Sequence, residues 1–236
     1  MVMMMMMMMM TGTDDDDDDG ARVRSETDYV SRHIQRVIAF FAAIRAFSAH
    51  LSAKGHRILY LGLDDPRNQQ SFGENLKWVL EENPEAAWAY QSPDEYRLDQ
   101  LFLKLSSQLG VSSRSIDSEH FLCEREAVMD FFFGKKQYLL ESFYRHLRKQ
   151  TGLLMQGSKP LGGKWNFDAE NRRKYDGQVP LPPRVKLANQ VDELLEMVRN
   201  AGLQTIGSIH NNQLEWPIDR VQSLKLLEHF CKYGLP

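Results

Sequence analysis

The stretch RILYLGL, Arg57–Leu63, decides how the body of the chain is read. It is a short apolar run closed by Asp64-Asp65-Pro66, the pattern of a buried strand that ends in a turn. Upstream of it, Val37, Phe40, Phe41, Ile44, Phe47 and Leu51 recur at three- and four-residue steps. That spacing builds one apolar face and predicts a helix over Ser31–Leu51, with Gly55 as its stop. Downstream, Ser71 is placed to cap a helix that turns Phe72, Leu76, Val79 and Leu80 inward.

The same alternation continues outward. Ala86–Tyr90 reads as a second, weaker strand. Pro93 or Asp94 opens a helix with Leu98, Leu101, Phe102 and Leu105 on its inner side, ending near Gly110. Val111–Ile116 is a third strand candidate, and Glu124–Phe133 and Gln137–Lys149 are helices separated by Gly134. Short strands alternating with helices of this length imply an α/β fold with a parallel sheet covered on both faces. After Gly152 the character changes to a connection rich in Gly, Pro and charge. Two helices follow it. Asn189–Ala201 turns Val191, Leu194, Leu195 and Val198 inward. The second, capped by Asp219, runs to about Lys232 and is lined by Val221, Leu224, Leu227 and Phe230.

The front of the chain is different. Residues 1–20, MVMMMMMMMMTGTDDDDDDG, hold nine of the twelve Met and six Asp, with no Lys or Arg. Six adjacent like charges repel one another and resist packing, so a disordered leader is expected. The formal charge of −3 therefore hides a body of 216 residues at +3. No apolar run reaches the roughly 18 residues that would predict a transmembrane helix. The Met run also lacks the basic start and small-residue cleavage site of a signal peptide. Two cysteines, Cys123 and Cys231, cannot build a disulfide framework, and a reducing cytoplasm is the expected setting.

Motifs for catalysis are few. Gly162-Gly163-Lys164 has no strand before it and no Ser or Thr after it, so it is not a phosphate-binding loop. The pairs His120/Cys123 and His229/Cys231 match no zinc spacing. Cys123, in an apolar run, reads as a buried small hydrophobe. Asp64 and Asp65 fall at a carboxyl end of the sheet, where α/β folds bind ligands, although a turn before Pro66 explains them equally. Glu95, Tyr96 and Arg97 share that edge and either line a pocket or pair in the first turn of a helix.

Charge gives the stronger signal. Residues 134–186 hold twelve Lys or Arg against four acids, Glu141, Asp168, Glu170 and Asp176, a local charge of +8. Tyr138, Phe143, Tyr144, Trp165, Phe167 and Tyr175 are interleaved with them. A basic strip with aromatic partners suits phosphate contact and ring stacking on nucleic acid, while a solvated connecting loop is the plainer reading.

The segment GGKWNFDAENRRKY, Gly162–Tyr175, resembles the signature of the photolyase-related, iron–sulfur bacterial cryptochrome and (6-4) photolyase family. Five further blocks are similar to that family in the same order: Glu26–Phe47, Gly55–Asn68, Pro93–Leu101, Glu141–Gly157 and Trp216–Phe230. The resemblance extends over about residues 21–236 with little interruption. The resemblance implies a Rossmann-like antenna domain holding 6,7-dimethyl-8-ribityllumazine, followed by a helical domain with FAD and a [4Fe–4S] cluster on four cysteines. The flavin and cluster sites are expected to be absent from this chain, which leaves it with no catalytic residue to assign.

On this reading residues 1–20 are a low-complexity leader and 21–155 an α/β antenna-type domain. Residues 156–186 are a basic interdomain linker, and 187–236 a helical segment leading to the flavin domain. By the resemblance, the Met and Asp runs stand where the family has its first strand, and loss of a central strand is expected to expose ladder edges and destabilise the domain. Glu26, Tyr29 and Phe40 are implied to lie beside the lumazine ring. Arg172, Arg173 and Lys174 are implied to approach the DNA backbone, with Lys149, Arg148 and Arg145 extending that surface and Trp165 as a packing anchor.

The expected role is that of the N-terminal part of a photolyase- or cryptochrome-like protein, contacting DNA and, through a partner flavin-binding domain, serving light-dependent repair or sensing. No membrane partner is expected. The alternatives are a non-catalytic DNA- or partner-binding α/β module and a non-functional truncated product.

Overall fold

The computed structural model describes residues 3–5, 31–168, 172, 174, 177–178 and 181–234. Its elements are mixed α and β. In chain order the strands are β1 (Met3–Met5), β2 (Arg32–His33), β3 (Ile58–Tyr60), β4 (Trp88–Gln91) and β5 (Ser113–Ile116). They continue with β6 (Met155–Gln156), β7 (Lys159–Pro160), β8 (Asn189–Gln190), β9 (Thr205–Ile206) and β10 (Gln213–Leu214). The α-helices are α1 (Ile34–Ala53), α2 (Phe72–Glu81), α3 (Tyr96–Gln108), α4 (Ala127–Phe132), α5 (Leu140–Thr151), α6 (Asp192–Asn200) and α7 (Arg220–Tyr233).

Two compact units divide the chain. One comprises Met1–Trp88, Pro93–Ser112 and Leu181–Pro236; the other comprises Ala89–Ser92 and Ser113–Pro180. This differs from the expected layout, in which residues from 187 onward lead away from the α/β domain. The reason is packing. Val191, Leu194, Met197, Val198, Leu203 and Leu214 are buried in one cluster with Ile34, Val37, Ile38, Phe41 and Ala42 of α1. Helix α1 meets α6, β3 and β10, and Arg45 pairs with Glu193 at 3.2 Å. Helix α1 is long and apolar enough by composition to cross a membrane, and its inward face serves as the centre of this core.

A continuous parallel sheet is not found among the described residues. The strands instead form small pairs: β1–β3 and β2–β9 parallel, β6–β7 and β8–β10 antiparallel. In the β4–β5 pair Trp88 N–H donates to Ser112 O and Ser92 N–H to Ile116 O, so the register advances in the same direction on both strands. The leader expectation is corrected at Met3–Met5, which pair with Ile58–Tyr60. Backbone groups of β3 that a missing first strand would leave open are thereby bonded on that side. At the β2–β9 pair, Gly207 has φ +77 and its Cα abuts the His33 ring so closely that any Cβ would strike the imidazole. His33 Nδ1 in turn accepts from Gln35 N–H and caps α1.

The helices expected from periodicity are present with small shifts of their ends. Ser71 caps α2 and Asp219 caps α7 as their spacing predicts. Helix α3 opens at Glu95 rather than at Pro93 or Asp94. Its Leu98, Phe102 and Leu105 are buried with Leu76 and Trp88, and Phe102 stacks between Phe72 at 4.6 Å and Trp88 at 5.8 Å. Two expectations fail. Phe121 and Leu122, beside Cys123, are exposed and Cys123 is only half-buried. Helix α7 has no buried residue, and its apolar positions Val221, Leu224, Leu227 and Phe230 are exposed among the described residues.

Candidate nucleic-acid interface

Arg145, Arg148 and Lys149 on α5 and the basic residues of the turns after it up to Lys174 lie within the second unit, while Arg184 and Lys186 at the end of the strip belong to the first. Glu141 and Arg145, one helical turn apart, form a 2.9 Å ion pair on α5. Gly152 ends the helix in the left-handed conformation at φ 71, its N–H donating to Arg148 O at 3.0 Å. The hairpin β6–β7 follows, and Gly157 at φ 60 is the first of its two turn residues, where primed hairpin turns require positive φ. Leu161–Gly163 then form a single 3-10 turn that delivers Trp165 back against α5.

Arg148 holds these parts together. Its Nε–H donates to Leu153 O at 3.4 Å, one Nη–H to Tyr144 Oη at 3.3 Å and the other to Leu154 O. It is only 6% exposed. The expectation that Arg148 extends a phosphate-contacting surface is therefore corrected: its donors are spent within the fold, on the carbonyls of Leu153 and Leu154 and the hydroxyl of Tyr144. Leu154, whose carbonyl also accepts from Leu161 N–H at 2.8 Å, sits at φ 56. A left-handed leucine is strained, and persists only where surrounding bonds over-determine it.

Trp165 is half-buried and is the focus of three cations. Arg145, Arg148 and Lys149 lie 5.5, 5.3 and 5.6 Å from its ring centroid, within the range where the ring's negative face attracts positive charge. Lys164 lies 5.9 Å from the Phe167 ring. Beside these rings is a cavity of about 550 Å³ lined by Glu141, Tyr144, Arg148, Leu154, Trp165 and Phe167 among others. Lys149, Arg172 and Lys174 are exposed in the same unit. Arg173 lies outside the described residues.

Of the three residues implied to lie beside a lumazine ring, Phe40 alone is among the described residues. Glu26 and Tyr29 lie outside the described residues. Phe40 is partly buried against the α1 core, edge-on to Phe41 at 6.3 Å, and is a packing residue there. The sequence has two cysteines, Cys123 and Cys231, where a [4Fe–4S] cluster takes four thiolates. Among the described residues no three His, Cys, Asp or Glu side chains converge in a metal-holding group.

At the carboxyl end of β3 the turn reading prevails. Asp65 accepts from Arg67 N–H at 2.9 Å, and from its guanidinium at 3.0 and 2.7 Å. Asn68 donates to Gly62 O, and the buried Asn75 accepts from Gln69 N–H and donates to Asn68. Hydrogen bonds from the Arg67 side chain and backbone hold the Asp65 carboxyl below its usual range. Glu95 and Arg97 make the first-turn ion pair at 3.2 Å. Sequence reasoning found the cations and the rings of this surface but missed the clamp by Arg148; the Gly157-Ser158 pair between short extended segments was the signal for the hairpin that it grips.

A family model described as deoxyribodipyrimidine photo-lyase-related protein matches residues 14–214 of the chain. A (6-4) photolyase of Agrobacterium fabrum is 32% identical over 219 residues, which are 90% of this chain and 43% of the photolyase. An uncharacterized protein of Acanthamoeba polyphaga mimivirus is 22% identical over 151 residues, 62% of this chain and 74% of the viral protein. The chain thus spans less than half the length of the photolyase that it matches.

Proposed function

The chain belongs to the deoxyribodipyrimidine photolyase-related protein family, and on that premise we propose that it contributes the DNA-backbone contact of a photolyase- or cryptochrome-like protein. The observation that carries this reading is the cation array of the second unit. Arg145 and Lys149 on α5 stand over Trp165 and Lys164 on the following loop stands near Phe167, and Arg172 and Lys174 are exposed in the same unit. Exposed guanidinium and ammonium groups pair with phosphate oxygens regardless of sequence. The small parallel strand pairs of the first unit are, on this reading, parts of a Rossmann-like layer. Both cysteines are free thiols, which suits a reducing cytoplasm. Light-driven repair or signalling is the role in which such a contact serves, with the electron transfer itself belonging to a flavin-binding partner domain.

The test is a salt titration of binding to a fluorescently labelled duplex, followed by anisotropy. Binding is expected with a Kd on the order of 10⁻⁴ to 10⁻⁶ M near physiological salt. The logarithm of affinity should fall linearly with the logarithm of salt, by roughly 0.9 per phosphate neutralised. Absence of binding at low salt, or binding that salt does not weaken, contradicts the proposal.

A further inference from the structure

The cavity beside Trp165 has more structure than backbone contact needs. A buried guanidinium and a strained Leu154 fix its floor, and three aromatic rings line it. Two of these rings are substantially open, Tyr144 at 40% and Phe167 at 42% exposure. Flat apolar rings left at a cavity wall can stack a planar heterocycle. Polar groups at the wall include the carboxylate of Asp168, the carboxylate of Glu141, whose Oε1 accepts from Arg145 at 2.9 Å while Oε2 is left over, and the amide of Asn166, whose Oδ1 accepts from Asp168 N–H at 2.7 Å. The guanidinium donors of Arg148 face Leu153, Leu154 and Tyr144 instead. Carboxylate acceptors match the exocyclic amine of cytosine, or the N1–H and amine edge of guanine, whereas on thymine they meet one N3–H flanked by two carbonyl oxygens that repel them. Around this acceptor-lined space stand Arg145, Lys149 and Lys164, in place for the phosphates that such a base would bring with it.

We propose that this cavity is a stacking pocket for one unpaired, amine-bearing base of a nucleic acid strand whose backbone runs along the α5 cations. The proposal rests on the DNA-contact reading and adds to it a subsite for a single base. Phosphates would be held by Lys149 and its neighbours, the ring by Phe167 and Tyr144, and the base edge by Asp168 and Glu141.

The experiment compares single-stranded dC and dT oligonucleotides with a duplex, all labelled, on the full chain at fixed salt. The expected result for the unaltered protein is tighter binding of oligo-dC than of oligo-dT. Phe167→Ala should weaken oligo-dC binding roughly tenfold, leave duplex binding within about twofold and leave the salt slope unchanged. Asp168→Asn, an exposed change that retains bulk, should erase the preference for dC over dT. Far-UV circular dichroism of both variants is expected to match the unaltered chain. If the unaltered chain binds duplex with the expected salt slope but Phe167→Ala and Asp168→Asn leave single-strand binding intact, the pocket is overturned and the backbone contact stands. If no nucleic acid is bound, the backbone contact itself fails, and the pocket with it.

Discussion

Helices α1 and α5 bury different chemistry. The inward face of α1 places Val37, Ile38 and Phe41 against Leu194 and Val198 of α6, an interior without charge, and Phe41 is 0% exposed. Helix α5 buries Phe143 and, at its last turn, the cation Arg148. Removing apolar surface from water stabilises the first arrangement. The second holds a guanidinium on carbonyls, a costly use of a buried position that gains geometry rather than hydrophobic energy. What that geometry fixes is the hairpin β6–β7 and the placement of Trp165 below Arg145 and Lys149. The contrast teaches that α1 is a stability element and α5 a positioning element.

The strongest way to break this contrast is to truncate each helix's buried anchor. Phe41→Ala is expected to cost about 3–5 kcal/mol. The measurement is a shift of the urea midpoint with an unchanged slope, with nucleic-acid binding by the remaining folded fraction unaltered. Arg148→Ala is expected to cost less, about 1–3 kcal/mol, from the lost bonds to Leu153 O, Leu154 O and Tyr144 Oη. It should nonetheless weaken DNA binding in the folded protein, because Trp165 and the hairpin lose their clamp. Arg148→Lys should recover only part of either loss, since an ammonium cannot reproduce a fork that spans Leu153 and Leu154. A loss below about 0.5 kcal/mol for Arg148→Ala would place this residue with ordinary surface positions and dissolve the comparison.

A smaller effect sharpens the picture of the first unit. The Asp65 carboxyl is held below its usual range chiefly by its bonds to Arg67. A group whose folded-state pKa is lowered adds stability above its unfolded pKa and loses it as pH falls through the folded value. The Asp65 contribution should therefore be present at neutral pH and fade below about pH 4. Asp65→Asn should show a smaller fall of the unfolding midpoint between pH 7 and pH 3 than the unaltered chain. An equal fall in both would show that the pair does not support the turn.

Much of this was legible in the residues. The three- and four-residue steps of Val37, Phe41 and Ile44 located α1, and Ser71 and Asp219 marked the starts of two helices, because capping and periodicity are local properties. Partnership is not local. The apolar steps of Val221, Leu224, Leu227 and Phe230 are as regular as those of α1, yet they are exposed. Periodicity defines a face without saying what covers it. Continuity of the sheet was likewise over-read, since strand pairing depends on distant backbone groups, and Met3–Met5 pairing with β3 has no counterpart in propensity rules. At the candidate site the density of Lys and Arg showed the surface, but not which cations remain on it. Arg148 and Lys149 are neighbours in sequence; one is turned into the fold and the other is exposed, a distinction set by the hairpin that only the tertiary structure supplies.

The central claim, that the α5 cations and those of the following loop meet a phosphate backbone, is tested most directly by the salt dependence of duplex binding in the double variant Lys149→Ala/Lys174→Ala. Two contacts fewer should make the log–log slope shallower by about 2, with the melting midpoint unchanged. A slope equal to that of the unaltered protein would mean that these lysines touch no phosphate and would contradict the account.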